Sequence, residues 1–285
     1  MNFVFSGGTS GIGRAVAVEL ARRGAAVLVL GRDAGRGERA VEMLLAAGAC
    51  EARWEPADLH SVAGIAQAAQ GILGWRSELH GLVHSAMTLN TRDMKRRESP
   101  DGLEAAFALQ YLARAALNRA LADALSASGD GRVVHVGANP PLRLVPDLDD
   151  LQFERRRWSL TGSLMSSQVL GFLHVQEAAR RWRDSSVHLT ISCVGPTMTD
   201  SIREQAWWAR ALYAVIATTP ERAANNAVRF LLEDEAREMS GGAFLSPKKF
   251  RSTSIVYDDA MSGRVWLLTE RILYAHGFDT SLLKR

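Results

Sequence analysis

The stretch that decides the fold lies near the N-terminus and reads Ser6-Gly7-Gly8-Thr9-Ser10-Gly11-Ile12-Gly13. A short apolar run, Asn2 to Phe5, precedes it, and apolar residues at helical spacing follow it from Gly11 to Arg23. The pattern predicts a buried strand, a glycine-rich turn and a helix in direct succession. Small residues let the backbone of such a turn pass close to a ligand, and the following helix offers free N–H groups to an anion. This arrangement favours a site for the pyrophosphate of a dinucleotide.

The same alternation of strand and helix continues along the chain. Further buried strands are predicted near residues 25–30, 52–56, 79–85, 132–138, 187–193 and 241–245, and helices near 36–47, 62–73, 103–125, 163–182 and 220–233. Alternation at this rhythm indicates βαβ units with right-handed crossovers. We therefore expect an α/β fold, a doubly wound parallel sheet of the Rossmann type, in which residues 1–285 form a single domain. An amphipathic tail, residues 258–274, is expected to pack on the outside.

The segment after the sixth strand differs from the rest of the chain. It is rich in tryptophan and alanine and includes Trp207, Trp208 and Tyr213. In a doubly wound sheet this segment lies beyond the carboxyl edge, where ligands bind. We interpret residues 196–219 as a helical lid over the pocket, and its aromatic side chains favour a large aromatic or apolar substrate. Packing of the lid on the core explains these side chains equally well.

The end of the second strand bears on the choice of nucleotide. The chain reads Leu30-Gly31-Arg32 there, whereas a fold that prefers NAD places a carboxylate at this point to accept the ribose hydroxyls. An arginine pairs instead with a 2′-phosphate through two N–H bonds. The sequence thus favours NADP(H) as the cofactor. The alternative is that Arg32 is only solvated.

Composition limits the partners that the protein can have. The 285 residues carry 34 basic and 31 acidic side chains, and the net charge of +3 is too small to indicate nucleic acid. No apolar run approaches the roughly 20 residues needed to span a bilayer. The two cysteines, Cys50 and Cys193, and the dispersed histidines show no metal-ligand spacing. We expect a cytoplasmic protein with a small-molecule substrate and with no metal, membrane or nucleic-acid partner.

These features resemble the short-chain dehydrogenase/reductase family, and most closely its retinol-dehydrogenase-like and protochlorophyllide-reductase-like members. The glycine loop is similar to the family's T-G-x-x-x-G-x-G, and residues 195–199 are similar to its P-G-x-x-x-T. His84-Ser85-Ala86-Met87 stands where N-N-A-G is usual. The resemblance, together with Arg32, assigns cofactor contacts to Ser6, Gly7, Thr9, Ser10, Gly11, Ile12, Gly13, Arg32, Asp58, Leu59, Ser85, Ala86, Gln168, Gly195 and Thr199. It also implies a homodimer or homotetramer.

The resemblance ends at the catalytic residues. The family uses asparagine, serine, tyrosine and lysine, and the corresponding positions here are Gln110, Ala138, Leu164 and Gln168. In the family the tyrosine exchanges a proton with the substrate oxygen, while the lysine lowers the tyrosine pKa and holds the nicotinamide ribose. The candidate polar groups near the open edge of the sheet are Ser85, Asn139 and Gln168, together with His84 and Ser163. A hydrogen-bonded histidine at a strand end, and a serine that points elsewhere, are the alternatives for His84 and Ser163.

Loss of the general acid limits the chemistry that can survive. Leucine has no proton to give, and general acid catalysis is worth about 100- to 10,000-fold. We therefore expect a biosynthetic enzyme in which NADPH reduces a conjugated C=C or C=N bond of a bulky, natural-product-like molecule, in a reaction that can accompany ring formation. One alternative is a redox-neutral cyclase, isomerase or dehydratase on the same scaffold. Another is a protein that binds NADP without catalysis.

Overall fold

A single parallel sheet organises the chain. The computed structural model describes residues 1–92, 94–141, 144–253 and 257–278, and within these ranges seven strands pair in the order β3-β2-β1-β4-β5-β6-β7. Their bounds are Asn2–Ser6 (β1), Ala26–Gly31 (β2), Glu51–Pro56 (β3), Gly81–His84 (β4), Gly131–Ala138 (β5), Val187–Val194 (β6) and Ala243–Leu245 (β7). All neighbouring pairs are parallel. The doubly wound parallel sheet predicted from the sequence is confirmed.

Helices cover both faces of this sheet. The α-helices are Gly11–Ala21 (α1), Ala34–Ala47 (α2), Val62–Trp75 (α3), Ala113–Ala120 (α4), Ala122–Ala127 (α5), Leu160–Arg181 (α6), Asp200–Arg203 (α7), Trp207–Ile216 (α8), Pro220–Leu232 (α9) and Asp259–Ala275 (α10). A π-helix spans Phe107–Leu112, and a 3₁₀-helix spans Asp234–Met239. One core layer holds Leu28, Ile65 and Val169, and the other holds Phe3, Val16 and Phe230. Both faces of the sheet are therefore buried, as a parallel sheet requires.

The strand order reverses at β1. This strand pairs with β2 on one side and with β4 on the other, so that Ser6 lies opposite both Leu30 and His84. In open α/β sheets the crevice for a ligand opens outside the carboxyl ends of the strands at such a switch point. The glycine loop directly follows Ser6 and therefore lies at the predicted place.

The helix predicted over residues 103–125 is not continuous. The π-helix Phe107–Leu112 comes first, α4 follows it, and a break at Leu121 separates α4 from α5. The Glu104 carboxylate accepts a hydrogen bond of 2.9 Å from the Phe107 N–H, which caps the start of this region. A π-helical turn is rare and occurs mostly at functional sites. It places Gln110 in a backbone geometry that an Ala/Leu-rich pattern does not reveal.

The predicted lid and the C-terminal tail are both helical where they are described. The ends of the lid are joined by hydrogen bonds from Thr218 N to Pro196 O (2.9 Å) and from Met198 N to Thr218 O (3.0 Å). Helices α7 and α8 lie between these ends. In the tail, α10 packs on the long helix α6. Among the described residues, no helix combines the length and the apolarity needed to cross a bilayer.

Candidate active site

The glycine loop forms a cradle with no room for side chains. Gly7 and Gly11 have positive φ values of 89° and 55°, which glycine adopts without strain. A Cβ on Gly13 would lie 2.0 Å from Ser85 Oγ and 2.6 Å from the Gly7 carbonyl oxygen. A Cβ on Gly7 would lie 2.5 Å from Ala86 N. The loop therefore packs directly on the end of β4, and larger residues in place of Gly7 or Gly13 would force the loop away from that strand.

Helix α1 begins without a side-chain cap. Ser10 is its N-cap residue, and the Ser10 side chain makes no capping hydrogen bond. By contrast, α2, α3, α6, α9 and α10 each begin with a side chain that accepts from the backbone. The first N–H groups of a helix need acceptors, and a phosphate can supply them. The open N-terminus and the narrow glycine loop together fit the pyrophosphate of a dinucleotide cofactor.

The end of β2 carries an exposed cation, and the carboxylate next to it is already engaged. Arg32 is exposed, and among the described residues its guanidinium has no hydrogen bond or ion pair. The neighbouring acidic residue, Asp33, is N-cap of α2 and accepts from Arg36 N at 2.7 Å. The side chain of Thr9 lies against Gly31, where a Cβ would be 3.1 Å from Thr9 Cγ2. Arg32 and Thr9 therefore flank the point where the ribose of a bound nucleotide is expected.

Two more predicted cofactor contacts lie around the same crevice. Leu59 is buried, whereas Asp58 is half-exposed and accepts from His60 N at 3.2 Å. Burial and the Arg32 charge lower the pKa of His60. Thr199 lies against Gly11, because a Cβ there would be 2.9 Å from Thr199 Cγ2. The segment after β6 thus covers one side of the glycine loop.

The lysine position of the family is occupied by a glutamine that bonds to the sheet. Oε1 of Gln168 accepts from Ala138 N at 3.2 Å. It also lies 2.3 Å from where a Cβ on Gly137 would be. Leu164, one turn earlier on α6, is half-buried. Helix α6 contains neither tyrosine nor lysine. The four altered positions hold two glutamines, an alanine and a leucine, and therefore supply no acidic group at the carboxyl end of β5.

The asparagine position of the family belongs to a buried polar face that sequence reasoning missed. The Nε2 of Gln110 is buried and has no hydrogen-bond partner among the described residues. Four residues later, Arg114 donates to Val136 O (3.0 Å) and Ala86 O (3.1 Å), while its Nε has no described partner. Burial lowers the pKa of Arg114 to about 10. A buried cation therefore joins the carboxyl ends of β4 and β5 beside the predicted nicotinamide site.

His84 lies in the core rather than in the open crevice. It is fully buried, and its Nδ1 is 3.1 Å from Ser6 Oγ while its Nε2 is 2.8 Å from Asn118 Oδ1. Burial, followed by the charge of Arg114, lowers the pKa of His84 to about 3. The imidazole is therefore neutral with both nitrogens bonded. This geometry agrees with the alternative of a hydrogen-bonded histidine at a strand end and leaves no nitrogen for a substrate.

Two other histidines complete a buried cluster around Asn118. The amide nitrogen of Asn118 lies 3.0 Å from His135 Nε2 and 3.3 Å from His174 Nε2. Because an amide nitrogen only donates, both imidazoles accept through Nε2 and carry their proton on Nδ1. Burial lowers the pKa of His174 to about 4 and that of His135 well below its usual value. The cluster joins β4, β5, α4 and α6 beneath the site.

Ser163 is also directed away from the crevice. It is 1% exposed, and its hydroxyl donates to Glu104 Oε1 at 2.8 Å. Trp158 Nε1 donates to the same oxygen at 3.2 Å. Glu104 thus ties the start of α6 to the π-helix, and sequence reasoning missed this carboxylate. Ser163 is therefore placed as a structural contact, in agreement with the alternative of a serine that points elsewhere.

Four tyrosines lie in the part of the chain that is described, and none of them is on α6. The hydroxyl of Tyr111 is hydrogen-bonded to Thr269 in the core, and burial raises its pKa above the usual range. Tyr213 is half-buried on α8, and Tyr274 is exposed on α10. The ring of Tyr257 packs on Phe172, one turn beyond Gln168, and burial raises its pKa to about 12. Lys249, far from α6 in sequence, pairs with Glu233 and Glu235 on the outside.

Comparisons with known proteins agree with this arrangement. Residues 2–141 match the family model described as short chain dehydrogenase. Human retinol dehydrogenase 13 is 23% identical over 95% of this chain and 83% of that protein. Mouse polyprenol dehydrogenase is 27% identical over 97% and 85%. A probable oxidoreductase of Streptomyces lividans is 34% identical over 63% and 58%.

Solved structures show the same fold. A short-chain type dehydrogenase/reductase from Mycobacterium ulcerans superposes with a TM-score of 0.65 at 25% identity, covering 86% of this chain and 87% of that one. The NADP complex of Pseudomonas aeruginosa RhlG gives a TM-score of 0.68 at 21% identity, covering 86% and 93%.

Proposed function

Because the chain belongs to the short-chain dehydrogenase/reductase family, we propose that it is an NADPH-dependent reductase of a conjugated C=C or C=N bond in a bulky, apolar small molecule. One observation carries the proposal. The cofactor cradle of this oxidoreductase family is intact, while Leu164 and Gln168 replace the residues that move the proton.

Three groups of the chain support binding of the cofactor. The backbone of the glycine loop and the uncapped N-terminus of α1 would receive the pyrophosphate. Arg32, exposed at the end of β2, would pair with a 2′-phosphate, since Asp33 is engaged as a helix cap. The amide nitrogen of Gln168 would donate to a ribose hydroxyl, because its oxygen is already bonded to Ala138 N.

The chemistry follows from what the chain lacks. A bound nicotinamide cofactor supplies a hydride. Leu164 cannot protonate an alkoxide, and no ammonium stands beside it on α6. An isolated ketone or aldehyde would therefore lose the roughly 100- to 10,000-fold that a general acid provides. A conjugated acceptor spreads the new charge through its own π-system, and water supplies the proton, so that one hydride and one proton add across the bond.

The surroundings of the site favour an apolar substrate. Leu164 and Ala138 are apolar where the family has hydroxyl groups. On the lid, Tyr213 is half-buried, whereas Trp207 and Trp208 face solvent, so that the two tryptophans expected from the sequence to favour an aromatic substrate do not line the site. The names of the relatives, retinol dehydrogenase and polyprenol dehydrogenase, refer to apolar unsaturated alcohols. This supports a substrate of similar apolarity.

The test compares two acceptors that differ only in conjugation. A long conjugated polyenal and the saturated aldehyde of equal length are each incubated with protein and NADPH, and the loss of NADPH absorbance is followed. We expect the conjugated acceptor to react at least about 100-fold faster, matching the lower range of general acid catalysis. Equal rates would contradict the proposal. Conversion of a substrate without loss of NADPH would support the redox-neutral cyclase or isomerase instead.

A further inference from the structure

Helix α8 presents an apolar surface to solvent. Of its ten residues, Trp207–Ile216, only Ala209 is buried. Trp207 is 78% exposed and Val215 is 86% exposed. The other large apolar side chains with substantial exposure on this helix are Trp208, Leu212 and Ile216. Monomeric proteins seldom leave a contiguous apolar surface of this kind without a function for it.

The exposed side chains form one face of the helix. Trp207, Ala211 and Val215 are spaced four residues apart, and Trp208 and Leu212 form the adjacent row. At 1.5 Å per residue the face is about 15 Å long. Both tryptophans lie at its N-terminal end. Arg210 is exposed on the flank of this face.

Hydrogen bonds tie the start of the helix to the loop after β4. The Gln205 side chain accepts from Thr91 N (2.9 Å) and donates to Leu89 O (3.0 Å). Thr91 Oγ1 accepts from Ala206 N at 3.1 Å, immediately before Trp207. The same loop exposes Met87 and Met94. We call α8 together with residues 87–92 and 94–98 the apolar rim.

The rim carries more basic than acidic side chains. Two lid carboxylates are turned toward the body of the protein, where Asp200 pairs with Arg14 at 3.0 Å and Glu204 pairs with Arg36. Arg210 is exposed on the lid, and Arg203 is exposed there as well but pairs with Asp200 at 3.5 Å. On the loop, Arg92 and Lys95 are also exposed, and residues 87–98 and 200–216 together hold six basic and four acidic side chains. The outer surface is thus apolar and framed by positive charge.

We propose that the apolar rim docks on the surface of an anionic lipid bilayer. Amphipathic helices that lie in a membrane interface combine bulky apolar residues, tryptophan above all, with flanking arginine and lysine. The rim borders the carboxyl edge of the sheet, so that docking would place the mouth of the site against the lipid phase. This inference revises the sequence-based expectation of no membrane partner and requires no spanning helix. It does not depend on the proposed hydride transfer.

The experiment measures binding of the full chain to vesicles. Phosphatidylcholine vesicles, with and without phosphatidylglycerol, are sedimented with the protein, and tryptophan emission is recorded with lipids brominated in their acyl chains. We expect binding to the anionic vesicles with quenched emission. The double variant Trp207→Ser, Val215→Ser should bind at least about tenfold more weakly. The variant Arg210→Glu should lose part of the preference for the anionic lipid.

The matched control removes exposed apolar side chains elsewhere. Leu267 and Tyr274 on α10 are 61% and 83% exposed, and the double variant Leu267→Ser, Tyr274→Ser should bind vesicles like the unaltered chain. Circular dichroism checks that each variant is folded. The proposal is overturned if the unaltered chain ignores vesicles, or if both double variants bind equally well. A rim variant that instead dissociates a dimer of this chain, with vesicle binding absent, would assign the surface to self-association.

Discussion

The side-chain oxygen of Gln168 accepts a hydrogen bond from the backbone N–H of Ala138 at a distance of 3.2 Å. This bond joins the two positions where the family has its lysine and its serine. Gln168, which was expected to face the cofactor, therefore also links α6 to β5. The remaining amide nitrogen can bind a ribose hydroxyl but has no charge. The bond fixes the Gln168 side chain in the site without an ammonium group.

Replacing Gln168 by methionine tests this role. The substitution leaves Ala138 N without its acceptor, and the free energy of unfolding should fall by about 1 to 2 kcal/mol. The rate with a conjugated acceptor at saturating NADPH should change by less than about tenfold, because Gln168 transfers no proton. Gln176→Met on the same helix is the control, since Gln176 donates to Tyr257 O and Asp259 far from the cradle. A loss of activity above about 1,000-fold, with binding retained, would assign Gln168 a direct role in the chemistry.

Gly13→Ala tests the cradle. Its Cβ would meet the Gly7 carbonyl oxygen at 2.6 Å as well as Ser85, and such overpacking costs about 1 to 3 kcal/mol. We expect NADPH affinity, measured by calorimetry, to fall by at least about tenfold. Gly74→Ala is the control, because that glycine is exposed in α3 with no atom near its would-be Cβ. Equal affinities for the two variants would mean that the loop does not bind the dinucleotide.

Arg32→Ala tests the nucleotide preference. A charge-assisted hydrogen bond is worth about 1.5 to 3 kcal/mol, so the dissociation constant for NADPH should rise about 10- to 100-fold. That for NADH should change little, since NADH has no 2′-phosphate. Arg39→Ala on the exposed side of α2 serves as the control. If Arg32→Ala weakens both nucleotides equally, the preference for NADPH has another origin.

The histidine cluster around Asn118 predicts a loss of stability in acid. The pKa values of His84 and His174, about 3 and about 4, lie below the ordinary value of 6.5. As the pH falls, the histidines of the unfolded chain therefore bind protons before those of the folded chain. The contribution of these histidines to the free energy of unfolding is complete above pH 6.5 and is lost as the pH falls from there toward their folded-state pKa values. At about pH 4.5 each of these neutral buried histidines lowers the free energy of unfolding by about 2 to 3 kcal/mol relative to its value at about pH 7.

His174→Phe separates this effect from general acid unfolding. Phenylalanine retains the stacking on Trp266, whose ring centre is 5.2 Å from that of His174, but removes one titrating group. Urea unfolding should show a smaller drop in stability between about pH 7 and about pH 4.5, by about 2 to 3 kcal/mol. The exposed His276, replaced by glutamine, should leave the drop unchanged. The same drop in both variants would show that the buried histidines are not its source.

Much of the fold was predictable because it depends on local pattern. The glycine loop between an apolar strand and a helix, and the alternation that follows it, indicate the parallel sheet directly. The sequence did not reveal the π-helix at Phe107–Leu112. Glu104, which caps its start, is itself held by distant residues, Trp158 and Ser163, that the local pattern does not show. Propensity alone favours a continuous helix there.

The buried polar network was harder to predict. Its histidines, His84, His135 and His174, are distant in sequence. The register of β4 and β5 pairs His84 with His135, and the packing of α4 and α6 on the sheet brings His174 and the Asn118 amide to them. One signal was nevertheless present. Gln110, Arg114 and Asn118 recur every four residues in an otherwise Ala/Leu-rich segment. Polar residues at that spacing mark one helix face, and here that face points into the core.

The central claim is that a dinucleotide cradle operates here without a tyrosine and lysine pair. The most direct measurement locates the transferred hydride. NADPH deuterated at the transferring position of its nicotinamide ring is incubated with the full chain and a conjugated acceptor in ordinary water, and the product is analysed by NMR. The account predicts deuterium on the β-carbon of the acceptor and a hydrogen from water on the α-carbon. Deuterium on the carbonyl carbon, formed equally fast from a saturated aldehyde, would show ordinary carbonyl reduction and contradict the account.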